Sequence, residues 1–64
     1  MITRGNRRAA LKEAIQKSNN GETTYVLISD NSITITQNEE EAKTCVHTHG
    51  YRVYAKCKDG YMIL

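Results

Sequence analysis

Apolar and polar residues alternate along most of this chain after residue 23, and three short turn signals divide the alternation into hairpins. In Thr24 to Gln37, taking Asp30-Asn31 as a two-residue loop sets Ile28 opposite Ile33 and Val26 opposite Ile35, while Tyr25, Leu27, Ser29, Ser32, Thr34 and Thr36 share the reverse face. A slip of one residue would turn every one of those aliphatics toward a polar partner or solvent, so the pairing is well specified. Asp59-Gly60 likewise pairs Cys57 with Met62 and Ala55 with Leu64, predicting a last strand over residues 61–64. Between them, His49-Gly50 as a turn pairs Val46 with Val53, Thr48 with Tyr51 and Thr44 with Ala55; Cys45 then faces Tyr54, His47 faces Arg52 and Lys43 faces Lys56 on the other side.

The period changes at the N-terminus. From Asn6 to Ser18 the apolar residues Ala10, Leu11, Ala14 and Ile15 recur at offsets of three and four, the stripe of a helix that Thr3 or Asn6 can cap and Asn19-Asn20-Gly21 can stop. This alanine-rich stripe is marginal alone and needs a sheet to lie on. Asn38-Glu39-Glu40-Glu41-Ala42 reads two ways, as a single helical turn capped by Asn38 or as an acidic loop. The expected fold is therefore α+β: a single domain, residues 1–64, with one N-terminal helix packed in two layers on an antiparallel β-meander of four to five short strands. Its core would comprise Leu11, Ala14, Ile15, Val26, Ile28, Ile33, Ile35, Val46, Val53, Cys57, Met62 and Leu64.

Composition narrows the function more than it names it. Sixty-four residues, 39% hydrophobic, with no Trp, Phe or Pro and four tyrosines, allow only a thin core. A substrate-sized pocket would consume much of it, so an enzyme is not expected, and neither is a small-molecule substrate or a cofactor. Burial against a partner would add stability, which makes homodimerisation a reasonable expectation. Two cysteines are too few for a secreted disulfide scaffold, and Met1-Ile2-Thr3-Arg4-Gly5 has no signal-like apolar run; a reducing cytoplasm is the expected compartment. No stretch reaches the roughly 18 apolar residues of a membrane span. The net charge of +2 hides three blocks: residues 1–17 hold five basic side chains and one acidic, 18–42 hold five acidic and none basic, and 43–64 hold four basic and one acidic. Such blocks set partner preference and encounter rate rather than fold.

Cys45-Val46-His47-Thr48-His49, with Cys57 downstream, contains the residue types of a zinc site, but in the strand register Cys57 points to the core and His49 occupies a turn, so no metal is expected. Cys45 and His47 as a nucleophile pair lack a third orienting group, and a Cys45 to Cys57 disulfide would have to join opposite faces. Two surfaces remain. The reverse sheet face, with Tyr25, Leu27, Thr34, Thr36, Tyr54 and Ile63, has the make-up of a protein interface, and the leading expectation is a small non-enzymatic binding protein that docks a protein partner, or its own copy, there or along a strand edge. The alternative is a nucleic-acid binder using the helix residues Arg4, Arg7, Arg8 and Lys12, assisted by Arg52, Lys56 and Lys58 in the C-terminal hairpins.

Overall fold

Two of the three turns close hairpins in the register the alternation dictates. The computed structural model describes residues 4–63, with side chains from Gly5 onward. In chain order it contains α1 (Arg4–Lys17), a short 3-10 turn (Ser18–Asn20), β1 (Thr24–Ile28), β2 (Ile33–Thr36), α2 (Glu39–Thr48), β3 (Arg52–Lys58) and β4 (Tyr61–Ile63). Val26 pairs with Ile35 and Ile28 with Ile33 across the first hairpin; Cys57 pairs with Met62 across the last. Asp59 and Gly60 adopt φ of 55° and 84°, the left-handed pair that a two-residue turn between right-twisted strands requires. The expected Ala55 to Leu64 pair and the Thr3 cap fall outside the described residues, and Asn6 lies within α1 rather than before it.

The middle hairpin does not form. Residues 39–48 make a ten-residue helix in place of a strand, so His49-Gly50 is a helix exit: the Cys45 carbonyl accepts from the N–H groups of His49 (3.0 Å) and Tyr51 (3.1 Å), and Gly50 takes the left-handed φ of 71°. Three local features favour the helix. The Asn38 side chain accepts from the Glu41 N–H at 3.1 Å, Glu39, Glu40 and Glu41 place negative charge in the first turn where the helix dipole is positive, and Ala42, Cys45 and Val46 line one face at offsets of three and four.

This second helix overturns the expected architecture. The fold is α+β around a four-stranded antiparallel sheet of order β2-β1-β3-β4, but two helices pack on it, not one N-terminal helix in a simple two-layer arrangement. α1 covers the face bearing Val26, Ala55 and Cys57, with Ala14 fully buried against them and Ala10, Leu11, Ile15, Ile33, Ile35 and Tyr54 packed around. α2 lies over β1 and β2 on the reverse face, where Leu27 and Thr36 are buried, as is Ala42 of the helix. Leu27, expected on a free surface, is the largest side chain with no exposed area, a burial that contributes about 1.5–3 kcal/mol. Val53 and Met62, expected in the core, are exposed.

α1 and the sheet are tied at one end by Ser18, fully buried, whose Oγ donates to the Ile15 carbonyl (2.8 Å) and accepts from the Gly60 N–H (3.0 Å). Gly60 is also required by space: a Cβ there would run into Asn19 Oδ1. At the sheet centre the β1–β3 ladder slips between Val26, which pairs with Ala55, and Leu27, which pairs with Val53. Tyr54 is the extra residue of this bulge, and it turns onto the α1 side. No helix of the described residues is long and apolar enough to cross a membrane.

Candidate functional site

The helices cover the sheet unevenly, and the uncovered part is where candidate contacts gather. α2 reaches across β1 and β2 but stops short of β3 and β4. Val53 (53%), Tyr61 (75%) and Ile63 (42%) are therefore exposed on the α2 side, and Met62 (49%), which shares the α1 side with its partner Cys57, is exposed there, although all are large and apolar or aromatic. Among the described residues β4 pairs with β3 alone, which leaves its other edge open. The Asp59-Gly60 loop makes Lys58 and Tyr61 the closing pair of the hairpin; by the alternation of antiparallel pairs, Met62 then turns its N–H and C=O away from β3.

Between α2 and β3 runs a groove of about 300 Å³, lined by Tyr25, Ala42, Val46 and Val53 with Glu39, Lys43, His47 and Lys56 around them. Lys56 stands opposite Tyr25 in the ladder with its Nζ 5.8 Å from the ring centroid, a cation–π contact at the groove wall. Lys43 and Glu39 pair at 3.7 Å, one turn apart on exposed α2. The domain is thus small and presents an exposed tyrosine-bearing face.

The residues of the expected partner face are divided by this structure. Tyr25 is half-buried in the groove and Ile63 exposed on β4; Leu27 and Thr36 are buried under α2; Thr34 is half-buried with its Oγ1 3.5 Å from the Tyr51 hydroxyl; Tyr54 lies on the opposite face. The basic residues are divided too. Lys56 and Lys58 extend on the α2 side, whereas Arg52 pairs with Ile28 and so shares the α1 face beyond the bulge. There a cavity of about 370 Å³ is lined by Arg7, Arg8, Leu11 and Tyr54. Lys12 is exposed one turn along α1 from Arg8; the Arg4 side chain lies outside the described residues.

Sequence reasoning missed Val53, Tyr61 and Met62 as surface residues, because how far a helix reaches across a sheet leaves no trace in alternation. It also missed a cluster of hydroxyls formed by Ser29, Ser32, Thr34 and Tyr51. Hydrogen bonds from Ser32 first and Thr34 second hold the Tyr51 phenol below its ordinary pKa.

The residues of the considered zinc and nucleophile sites do not assemble as pairs. Cys45 and His47, two apart on a helix, point in different directions. Cys57 is buried on the α1 side of the sheet, both cysteines are free, and among the described residues no three His, Cys, Asp or Glu side chains gather at one point. Burial pushes the Cys57 thiol up, toward the neutral form.

The chain matches no protein-family model, no curated protein and no solved structure.

Proposed function

We propose that this chain is a small, non-enzymatic binding protein that receives an added β-strand along β4, in the first instance the β4 of a second copy. The observation that carries this reading is the open edge of Tyr61-Met62-Ile63, three exposed residues without a charge among them. Sheets normally guard such an edge with Lys, Pro or a covering element. An unguarded one supports strand addition, in which main-chain hydrogen bonds give affinity and alternate side chains give specificity.

A second copy fits this edge by its own symmetry. In an antiparallel pairing centred on Met62, the outward N–H and C=O of each Met62 exchange both hydrogen bonds, and Tyr61 stands across from Ile63 of the partner subunit, an aromatic to β-branched pair. Val53 and the groove at Tyr25 extend the contact on the α2 side, and Lys56 and Lys58 form a charged rim that orients the encounter. The joined sheets would also shelter apolar surface that neither helix reaches.

Light scattering over a range of concentrations tests this. A dimer is expected at high micromolar concentration, with the Met62 amide protected from exchange, and Met62→Pro and Ile63→Lys are expected to return it to monomer while leaving the far-ultraviolet spectrum intact. A chain that stays monomeric with a freely exchanging Met62 amide removes self-association through β4.

A further inference from the structure

The α1 side of the sheet carries a feature that packing alone does not account for. Arg7 stands four, seven and eleven residues before Leu11, Ala14 and Ser18, on the stripe that α1 turns to the sheet. Ala14 and Ser18 on that stripe have no exposed surface, and Leu11 is packed against the core. A leucine at position 7 would simply extend this contact. The chain instead places a guanidinium there, and Arg7 Nε is buried without a hydrogen-bond partner. Arg7 as a whole is half-buried, but this one N–H of its guanidinium is shielded from water and left unpaired, a cost that calls for an explanation.

Its surroundings supply one. Arg7 and Arg8 line the 370 Å³ cavity together with Tyr54, which the β3 bulge turns to this side, and Leu11. That volume lies at the small end of ligand sites, which run from about 300 to 1,000 Å³. Arg52 joins the same face at the start of β3, opposite Ile28. Among the described residues the only ion pair is Glu39 with Lys43 on α2, so none of these three arginines is neutralised. Guanidinium forks bind phosphate in bidentate fashion, and arginines beside an aromatic ring are the make-up of single-strand platforms, where a base meets the ring and phosphates meet the charges. Lys12, one turn beyond Arg8, carries the positive charge on along the helix, which suits a polymer of phosphates better than one isolated ester.

We infer that the cavity formed by Arg7, Arg8 and Tyr54, with Arg52 on the same face of the sheet, binds the phosphate backbone of a single-stranded nucleic acid. The site shares no residue with β4, so it stands or falls independently of strand addition.

The test is fluorescence polarisation of an end-labelled single-stranded oligonucleotide of mixed sequence with the full chain, titrated across salt, with inorganic phosphate, a mononucleotide and polyglutamate as competitors. Binding at low salt is expected, weakened at least roughly fivefold by Arg7→Gln, with the slope of log affinity against log salt reduced by about 0.7 because one phosphate is no longer neutralised. Arg8→Gln and Arg52→Gln are expected to act alike; both residues are exposed, so they keep the test open should Arg7→Gln unfold the domain. Lys58→Gln, on the other side of the sheet, is expected to change little. No binding at low salt overturns the inference, as does a Lys58→Gln loss equal to that of Arg8→Gln, which would mark diffuse attraction. Competition by polyglutamate, or by the mononucleotide at equal phosphate, as effective as that by unlabelled oligonucleotide also overturns it, pointing to an acidic peptide or a free phosphate ester.

Discussion

The hydroxyls of Ser32 and Tyr51 meet at 2.6 Å, joining the β1–β2 turn to the segment that leaves α2. Ser32 Oγ also lies 3.1 Å from Ser29 Oγ, and Thr34 Oγ1 donates to the Tyr51 phenol at 3.5 Å. Hydroxyls that donate to a phenol stabilise its ionised form, which is why Tyr51 is held below the ordinary value of 10.0, Ser32 contributing most. An acid depressed by folding adds stability above its unfolded pKa and loses it as pH falls through the folded one, so this effect is absent at neutral pH. Following phenolate absorbance during an alkaline titration should show an early ionisation that Tyr51→Phe deletes and Ser32→Ala moves upward. An early step that survives Tyr51→Phe would assign it elsewhere.

Leu27 is the strongest test of where α2 sits. Truncating it beneath the helix should cost about 2–5 kcal/mol, because the rigid surroundings cannot fill the space left behind. Val53, its partner across the β1–β3 ladder, is 53% exposed, and Val53→Ala should stay within about 0.5 kcal/mol. Small domains have only about 5 kcal/mol in hand, so Leu27→Ala is expected to be partly unfolded at ambient temperature. Urea midpoints of the two variants decide the matter; equal shifts would mean that this face is not covered.

Cys57 and Cys45 should separate cleanly by chemistry. Cys57 has no exposed surface and its thiol is raised above 9.0 by burial, whereas Cys45 on α2 is partly exposed. A thiol raised by folding contributes stability that is full below its unfolded pKa and is lost as pH climbs through the folded value. The melting temperature should therefore fall faster above pH 9.0 in the native chain than in Cys57→Ala. Under native conditions a thiol reagent should modify Cys45 first, with Cys57 reacting only as the domain opens. Simultaneous modification of both would contradict the burial of Cys57.

How much of this was legible depended on whether a residue's neighbours were local. The Ile28 to Ile33 and Cys57 to Met62 pairs follow from turn residues a few positions away, and both were readable. Thr44-Cys45-Val46-His47-Thr48 was not: its β-branched residues alternate as a strand would, and the same Val46 also completes a helical stripe with Ala42. Reading it as a strand left Leu27 without a cover, so the expected docking face contained a core residue. The bulge at Tyr54 was equally hidden, since no Gly or Pro marks it, and it decides which side of the sheet carries Arg52 and which carries Lys56. The exposed β4 edge arises from how far two helices reach, a tertiary fact with no local signature.

The choice between strand and helix in residues 39–48 rests heavily on Asn38. Its Oδ1 accepts the Glu41 N–H at 3.1 Å, and its own N–H is anchored by Thr36 Oγ1 at 3.1 Å, so one residue both ends β2 and starts α2. A ten-residue helix is too short to persist on propensity alone. Asn38→Ala should therefore cost about 0.5–2 kcal/mol, while Asn38→Asp, which keeps the acceptor and adds charge favourable to the dipole, should cost little. Hydrogen exchange gives the sharper reading. In Asn38→Ala the Glu41 amide and the α2 amides that follow should lose protection ahead of β1 and β3, because opening α2 leaves the α1 layer intact. Uniform loss of protection across the chain would show instead that α2 and the sheet melt as one unit, and that the cap is not what holds the helix in place.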